Sequence, residues 1–555
     1  MSASSKKKLR KELSAAALTE KQLQEQKEAK KLKTISIIFI AVMLAIALIA
    51  ATVLIVRAVN NSGIIDRNTI AATVNDSEID SLQMNYYFID YIQDFYAQWY
   101  QTYGNNIGLY MIASGLDISK PLDEQFQDRE NNITWADYFL QEALERAKND
   151  YALYNKALAE NYTLTESEKL VAEYKIDEIE YYAAMNGYRD VDDYIKAIYG
   201  HGADLESFKT YNDIAVTATA YYNSQNRSWS YDDTAIREHG KENFDKFSAF
   251  SYASYYVNVG YYIQGGSVNA NGFYTYSDAE KEAARAGAES DAKKLVVAKN
   301  VEELNKAIAA LDYNKDIENV SCEVHTNTPF ASVPTAVQEW ISDEARVEGD
   351  ITYIANELDS TDVDGNPTTD IGGYYVVIYQ GRNDNLRHLA NVRHLLVKFE
   401  GGTTDSTTGV TTYSDAEKAA AKAEAEVLLE SWKTGKATEE SFITLVKEHS
   451  DDTTASNGGL IEDIHRDSNY VTNFKDWAID PERKAGDTAV IESQYGYHVM
   501  FYAGDDELTY RDYLITEDLR AIDQQKWFED IIEDVKATIV ETKRLNLDVA
   551  MTSSL

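Results

Sequence analysis

Cysteine is nearly absent. Cys322 is the only one in 555 residues, which excludes an internal disulfide framework and any cysteine-based zinc site. Five prolines and 27 glycines are too few for a collagen-like or proline-rich stalk. Positive charge is also scarce: 53 Lys and Arg against 92 Asp and Glu leave a net of −39. That total hides a reversal, because residues 1–34 carry ten basic and four acidic side chains, a net of +6, so the remainder holds −45. A body so acidic repels phosphate, and nucleic acid is not expected as a partner. The length calls for several domains, and a hydrophobic share of 44% supplies their cores.

Only one apolar run reaches membrane length. Residues 35–56 carry no charge, and as a helix they would span about 33 Å, enough for a hydrocarbon core of ~30 Å. A cleaved signal peptide is the competing reading, but its apolar region is only ~7–15 residues long. The basic stretch of Lys6, Lys7, Lys8, Arg10 and Lys11, with Lys30, Lys31 and Lys33, predicts a cytoplasmic N-terminus by the positive-inside rule. The expected layout is a basic cytoplasmic tail (1–34), a transmembrane helix (35–56) and an extracellular ectodomain on a single-pass cell-membrane anchor.

Helical periodicity dominates residues 66–245, where Thr165 and Glu168 form a capping-box pattern. Tyr86, Tyr87 and Phe88 are expected in its core, although a Tyr-rich helical surface can also hold unfolded chains. Beyond it lies an internal repeat. Tyr276-Ser277-Asp278-Ala279-Glu280-Lys281 returns as Tyr413-Ser414-Asp415-Ala416-Glu417-Lys418, and Trp340, Asp343, Arg346, Gly349 and Asp350 return as Trp477, Asp480, Arg483, Gly486 and Asp487. The common offset means two copies of one domain, 246–381 and 387–504. Each copy reads strand, long helix, shorter helix, a helical piece at the tryptophan, then strand. The fold class expected is α+β. A closing helix over 510–542, with Trp527, Ile531, Ile532 and Val535 on one face, is predicted to pack on the helical domain.

The copies differ where chemistry is expected. In the strand that starts the second copy, alternation puts Val392, His394 and Leu396 on one face. In its last strand His498, Met500 and Tyr502 share a face, so neighbouring strands would bring His394 and His498 together. The first copy has Ser254 and Tyr375 at those positions. A strand histidine alone is more often structural than reactive. Metal binding lacks a His-x-x-x-His or carboxylate set at ligand spacing, and no Gly-x-Ser-x-Gly elbow supports a hydrolase. No metal or other cofactor is expected.

Arg393-His394-Leu395-Leu396-Val397, Ser450-Asp451-Asp452, Asn457-Gly458-Gly459, Phe474, Gly486-Asp487 and Gly496-Tyr497-His498-Val499, in that order, resemble the parvulin peptidyl-prolyl isomerases. After Gly459 the sequence reads Leu460-Ile461-Glu462-Asp463, where many parvulins have Asp-Leu-Gly. The first copy resembles a degenerate parvulin domain, and the whole plan resembles the SurA/PrsA-type extracytoplasmic foldases, here anchored by a helix. By this resemblance His394, Asp452, His498 and Ser493 are the catalytic set, and Tyr470, Phe474, Leu460 and Met500 contact substrate. The resemblance implies isomerisation of X-Pro bonds in unfolded or partly folded secreted polypeptides, with chaperone activity in the helical domain. The alternative is a non-catalytic holdase or surface scaffold whose parvulin-like modules only bind.

Overall fold

A computed structural model describes residues 3–268, 274–361, 367–405, 409–547, 549 and 551. Parts of both repeats (269–273, 362–366 and 406–408) therefore lie outside the described residues. The chain forms two compact units, Met1–Trp229 with Asp523–Leu555, and Ser230–Ile522.

The first unit begins with one helix, Ala3–Asn61. Its stretch Lys30–Asn60 is long and apolar enough to cross a membrane, and none of its most apolar window is buried. Five further long helices follow: Ser81–Tyr103, Trp135–Ala159, Glu166–Met185, Val191–Tyr199 and Leu205–Asn226. Thr165 and Glu168 make both bonds of a capping box, which fixes where the third of these starts. Tyr86, Tyr87 and Phe88 are fully buried. Tyr86 stacks on Tyr211 at 5.2 Å, and Tyr87 meets the same ring edge-on at 4.9 Å, so these tyrosines are core rather than a holding surface.

The closing helix is shorter than the periodicity suggests. It runs Tyr510–Ile532, and Ala537–Ile539 is instead a strand pairing antiparallel with Ile70–Val74. The alternating Ala537-Thr538-Ile539 suits a half-buried strand, and the edge of the Ile70–Val74 strand supplies backbone partners that outweigh continued helix. In the first unit, Trp527, Phe528 and Ile531 pack against Leu153, Ala157, Ala218 and Tyr221.

The second unit holds two four-stranded antiparallel sheets. The first comprises β1 (Ala249–Asn258), β2 (Glu323–Pro329), β3 (Ile351–Thr361) and β4 (Pro367–Asn383), in the order β2-β1-β4-β3. The second comprises β5 (His388–Lys398), β6 (Leu460–Ile464), β7 (Thr488–Glu492) and β8 (Gly496–Thr509), in the matching order β6-β5-β8-β7. In each repeat the same pair of helices lies between the first and second strands, Asp278–Leu295 and Val301–Ala309 after β1, Asp415–Thr434 and Glu439–His449 after β5.

The repeated tryptophan block turns out to be a structural clamp. Arg483 lies 4.8 Å over Trp477 and bonds Asp480 at 2.6 Å, and Arg346 lies 4.4 Å over Trp340 and bonds Asp343 at 2.9 Å. Gly349 and Gly486 both follow at φ 93°, a turn that L side chains resist.

The faces of the second sheet are unlike each other. Leu395, Val397, Tyr497, Val499 and Phe501 bury against the two long helices. Val392, Met500 and Tyr502 face the other way and cover Phe474 and Ala478 of the short helix Thr472–Ala478. That second face is where the two histidines sit.

Candidate functional site

β5 and β8 pair so that His394 lies opposite Met500 and Leu396 opposite His498. The two imidazoles are thus diagonal neighbours on one face, with rings 5.3 Å apart and Nδ1 to Nδ1 at 3.1 Å. Both are buried. Phe474 meets each ring edge-on, at 5.3 Å from His394 and 5.5 Å from His498.

A hydrogen-bonded chain passes through the pair. Ser493 Oγ lies 2.8 Å from His498 Nε2, and His394 Nε2 lies 3.1 Å from Thr454 Oγ1. The Thr454 hydroxyl donates to Asp452 Oδ1 at 2.6 Å, and the Thr454 amide donates to the same oxygen at 2.9 Å. The Thr454 proton is committed to a carboxylate, so its oxygen must accept from His394 Nε2–H. A neutral His394 then has a bare Nδ1, which accepts from His498 Nδ1–H, and His498 Nε2 accepts from Ser493. One set of tautomers satisfies every member.

Electrostatics agree with this polarity. Burial, reinforced by the neighbouring His394, pushes the His498 pKa down to about 4, so it is neutral at physiological pH. Asp452 is held well below the usual carboxylate range, chiefly by its contact with His394, and then by the Thr454 hydroxyl and amide, while burial pulls the other way. Its side chain is 27% exposed and its Oδ1 lies 3.5 Å from His394 Nε2. The chain therefore runs from a half-buried serine through two buried histidines to a half-buried anion.

Backbone geometry holds Asp452 there. Ser450 Oγ accepts from the amides of Leu396 and Asp452, and the Asp451 amide donates to the Leu396 carbonyl. Gly458 and Gly459 are both left-handed, at φ 74° and 69°. A Cβ on Gly459 would stand 2.1 Å from the His394 carbonyl oxygen, so only glycine permits the bond from the His394 amide to Gly459 O at 2.9 Å.

The structure brings together His394, His498, Ser493, Asp452, Phe474 and Tyr470. The last is 41% exposed and sits 5.6 Å from Phe474 at the rim. Two expected contact residues are corrected. Leu460 pairs with Arg393, which shares the helix-facing side of β5 with Leu395, so Leu460 points away from the histidines. Its neighbour Ile461 pairs with Val392 and packs on the Phe474 side. Met500 is fully buried opposite His394 and forms the floor beneath the site rather than a surface open to substrate.

Thr454 is the member that sequence reasoning missed. Its signal was the spacing Asp452-x-Thr454, in which the aspartate caps the 3-10 turn Thr453–Asn457 and the threonine folds back on it. A second support came from outside the motif. His465 stacks on Tyr510 at 4.3 Å and 13°, and the Tyr510 hydroxyl donates to Asp467 at 2.7 Å. The segment leading to Tyr470 is therefore pinned by the start of the closing helix.

The first sheet lacks this arrangement. Ser254 pairs with Val377 and Tyr375 with Tyr256, the positions of His394 and His498. Ser254 Oγ lies 3.1 Å from His325 Nε2, and Tyr375 and Tyr256 rings sit 4.7 Å apart. No pair of imidazoles occurs there among the described residues.

Comparison with known proteins places the site in a family. Residues 394–503 match the rotamase family described as the PPIC-type PPIase domain. Among solved structures, the PPIase domain of TbPar42 is 21% identical, covering 20% of this chain and 98% of its own, at a TM-score of 0.16. PrsA from Bacillus anthracis is 18% identical over 27% of this chain (TM-score 0.17), and PrsA from Bacillus subtilis is 20% identical over 29% (TM-score 0.17). The chain spans 59% and 53% of those two PrsA chains. No curated protein matches. Over residues 394–503 this chain carries a PPIC-type, or parvulin, peptidyl-prolyl cis–trans isomerase domain.

Proposed function

We propose that the chain is a membrane-anchored extracytoplasmic foldase, in which the second sheet isomerises X-Pro bonds of secreted polypeptides while the helical unit holds them. The observation that carries this reading is the continuous chain Ser493–His498–His394–Thr454–Asp452, which ends on a partly exposed anion and whose histidine pair is met edge-on by Phe474.

Rotation about a peptide bond costs ~18–20 kcal/mol because the twisted form loses amide resonance. The planar X-Pro amide owes its stiffness to a resonance form with negative oxygen and positive nitrogen. Tyr470 and Ile461, backed by the buried Phe474, take up the proline ring and strip water from the amide, which disfavours that charge-separated form. Asp452, held anionic beside the carbonyl, raises its energy further. Neither effect penalises the twisted state, so it is bound better than either planar isomer. No proton moves to substrate and no covalent bond forms. The histidine pair fixes the orientation of Asp452.

The remaining assignments follow the same proposal. The basic tail stays cytoplasmic, residues 35–56 span the membrane, and the repeats face outward. The first repeat, without the histidine pair, serves as a degenerate parvulin-like scaffold. The test is isomerisation of an X-Pro peptide by the full chain, compared with His394→Ala. Catalysis by the wild type that falls at least ~tenfold in the variant supports the reading, in line with the loss of a buried relay. Equal rates refute it and leave a holdase.

A further inference from the structure

The helical unit contains a crevice of about 1,090 Å³, at the upper end of the range for ligand sites. One wall is the helix Glu166–Met185, which buries a single residue, Ala183, out of twenty. It leaves Val171 55%, Tyr182 41% and Met185 67% exposed, and these three line the crevice. A helix normally buries an apolar stripe against its domain. Here the stripe is turned to an open cavity.

Asp90 is among the polar residues of the lining. Asp90 accepts from the Tyr199 hydroxyl at 2.8 Å and from the Tyr211 hydroxyl at 2.7 Å. The cations lining the crevice are already engaged: Arg146 bonds Asp94 at 2.6 Å, Lys175 pairs with Glu178 at 3.3 Å, and Arg227 and Glu168 attract each other. Asp90 takes its hydrogen bonds from neutral hydroxyls only, and Arg146, bonded to Asp94, acts on it only through space. Burial outweighs that attraction and raises the Asp90 pKa.

We infer that this crevice binds extended polypeptide through a lysine or arginine side chain, whose stem lies along the apolar wall and whose head meets Asp90 between Tyr199 and Tyr211. The complementarity has three parts. The wall covers an aliphatic stem, the carboxylate accepts a charge-assisted hydrogen bond, and the two tyrosine hydroxyls hold that carboxylate in place. A glutamate would meet Asp90 with like charge, and an uncharged side chain would leave it unanswered. This inference rests on the holding role proposed for the helical unit and names the chemistry that the role selects.

The test uses the full chain in detergent micelles and three labelled, proline-free peptides that differ only at one central residue: lysine, norleucine or glutamate. Fluorescence anisotropy is expected to show lysine binding at least ~tenfold tighter than norleucine, a difference of about 1.4 kcal/mol, and glutamate weakest. Asp90→Asn still accepts from one tyrosine hydroxyl and donates to the other, and it should erase the lysine preference while norleucine still binds. Val171→Trp fills the crevice from an exposed position and should abolish binding of all three peptides without unfolding the unit. Isomerisation of a short X-Pro peptide is expected to be unchanged in both variants. Equal binding of lysine and norleucine, or binding insensitive to Val171→Trp, overturns the inference. Lost isomerisation in the wild type, with the lysine preference intact, would instead overturn the foldase reading.

Discussion

Thr454→Val removes one hydroxyl and keeps the shape of the side chain, which makes it the sharpest probe of the relay. Two bonds disappear: the 2.6 Å donation to Asp452 and the 3.1 Å acceptance from His394 Nε2. A hydrogen bond to a charged group is worth ~1.5–3 kcal/mol. Part of this is recoverable, because His394 Nε2 stands 3.5 Å from Asp452 Oδ1 and a small movement would make a direct bond. The Thr454 amide also keeps its 2.9 Å bond to Asp452, so the carboxylate stays near its place. The net loss of transition-state stabilisation is therefore about 1–2 kcal/mol, or roughly 5–30-fold in kcat/KM. Thr454→Ser restores the hydroxyl and is expected within about twofold of wild type. The assay is isomerisation of an X-Pro peptide, with circular dichroism melts to exclude unfolding. A valine variant with wild-type kcat/KM and an unchanged melt would refute the claim that the hydroxyl transmits the histidine pair to Asp452.

Three further outcomes are expected. With the His498 pKa held at about 4, the unfolded chain binds a proton between pH 6.5 and 4 that the folded chain does not. Stability present above pH 6.5 is then lost as pH falls, by up to about 3 kcal/mol; urea unfolding across this window should show that slope in wild type and its loss in His498→Gln. Gly459→Ala puts a Cβ 2.1 Å from the His394 carbonyl oxygen, whereas Gly486→Ala, also at positive φ, meets nothing within 4 Å. Both variants pay for the left-handed backbone, about 1 kcal/mol, so a larger unfolding penalty for Gly459→Ala isolates the clash, and equal penalties would dismiss it. Tyr510→Leu removes the 4.3 Å stack on His465 and the bond to Asp467; KM for an X-Pro peptide should rise several-fold with kcat within about twofold, while an equal fall in kcat would place Tyr510 in the relay instead.

Residue pattern alone went far in the second repeat. Strict alternation in β5 and β8 separated Leu395, Val397 and Phe501 from Val392, His394 and Met500, and the sheet buries those sets on opposite faces. The resemblance, which puts Leu460 at the site, does not resolve the next strand. Gly458 and Gly459, both left-handed, turn the chain as it enters β6, and the parity of that strand depends on how the turn closes. The turn sets Leu460 against Arg393 and Ile461 on the Phe474 side. Periodicity also carried the closing helix past Ile532, because an apolar stripe cannot register that a strand edge stands free to pair with Ala537–Ile539.

The repeat, the apolar run of 35–56 and the histidine motifs are properties of residue order, and each could be read without coordinates because spacing along the chain maps directly onto periodic backbone. The tertiary structure decided matters that depend on distance between remote segments. It set the 3.1 Å contact of the two Nδ1 atoms, the insertion of Thr454 between His394 and Asp452, the pinning of His465 on Tyr510 and the crevice above Asp90. Each joins side chains whose separation in sequence says nothing of their separation in space. A hydrogen bond switches from present to absent over less than an ångström, and residue order alone does not resolve a length that small.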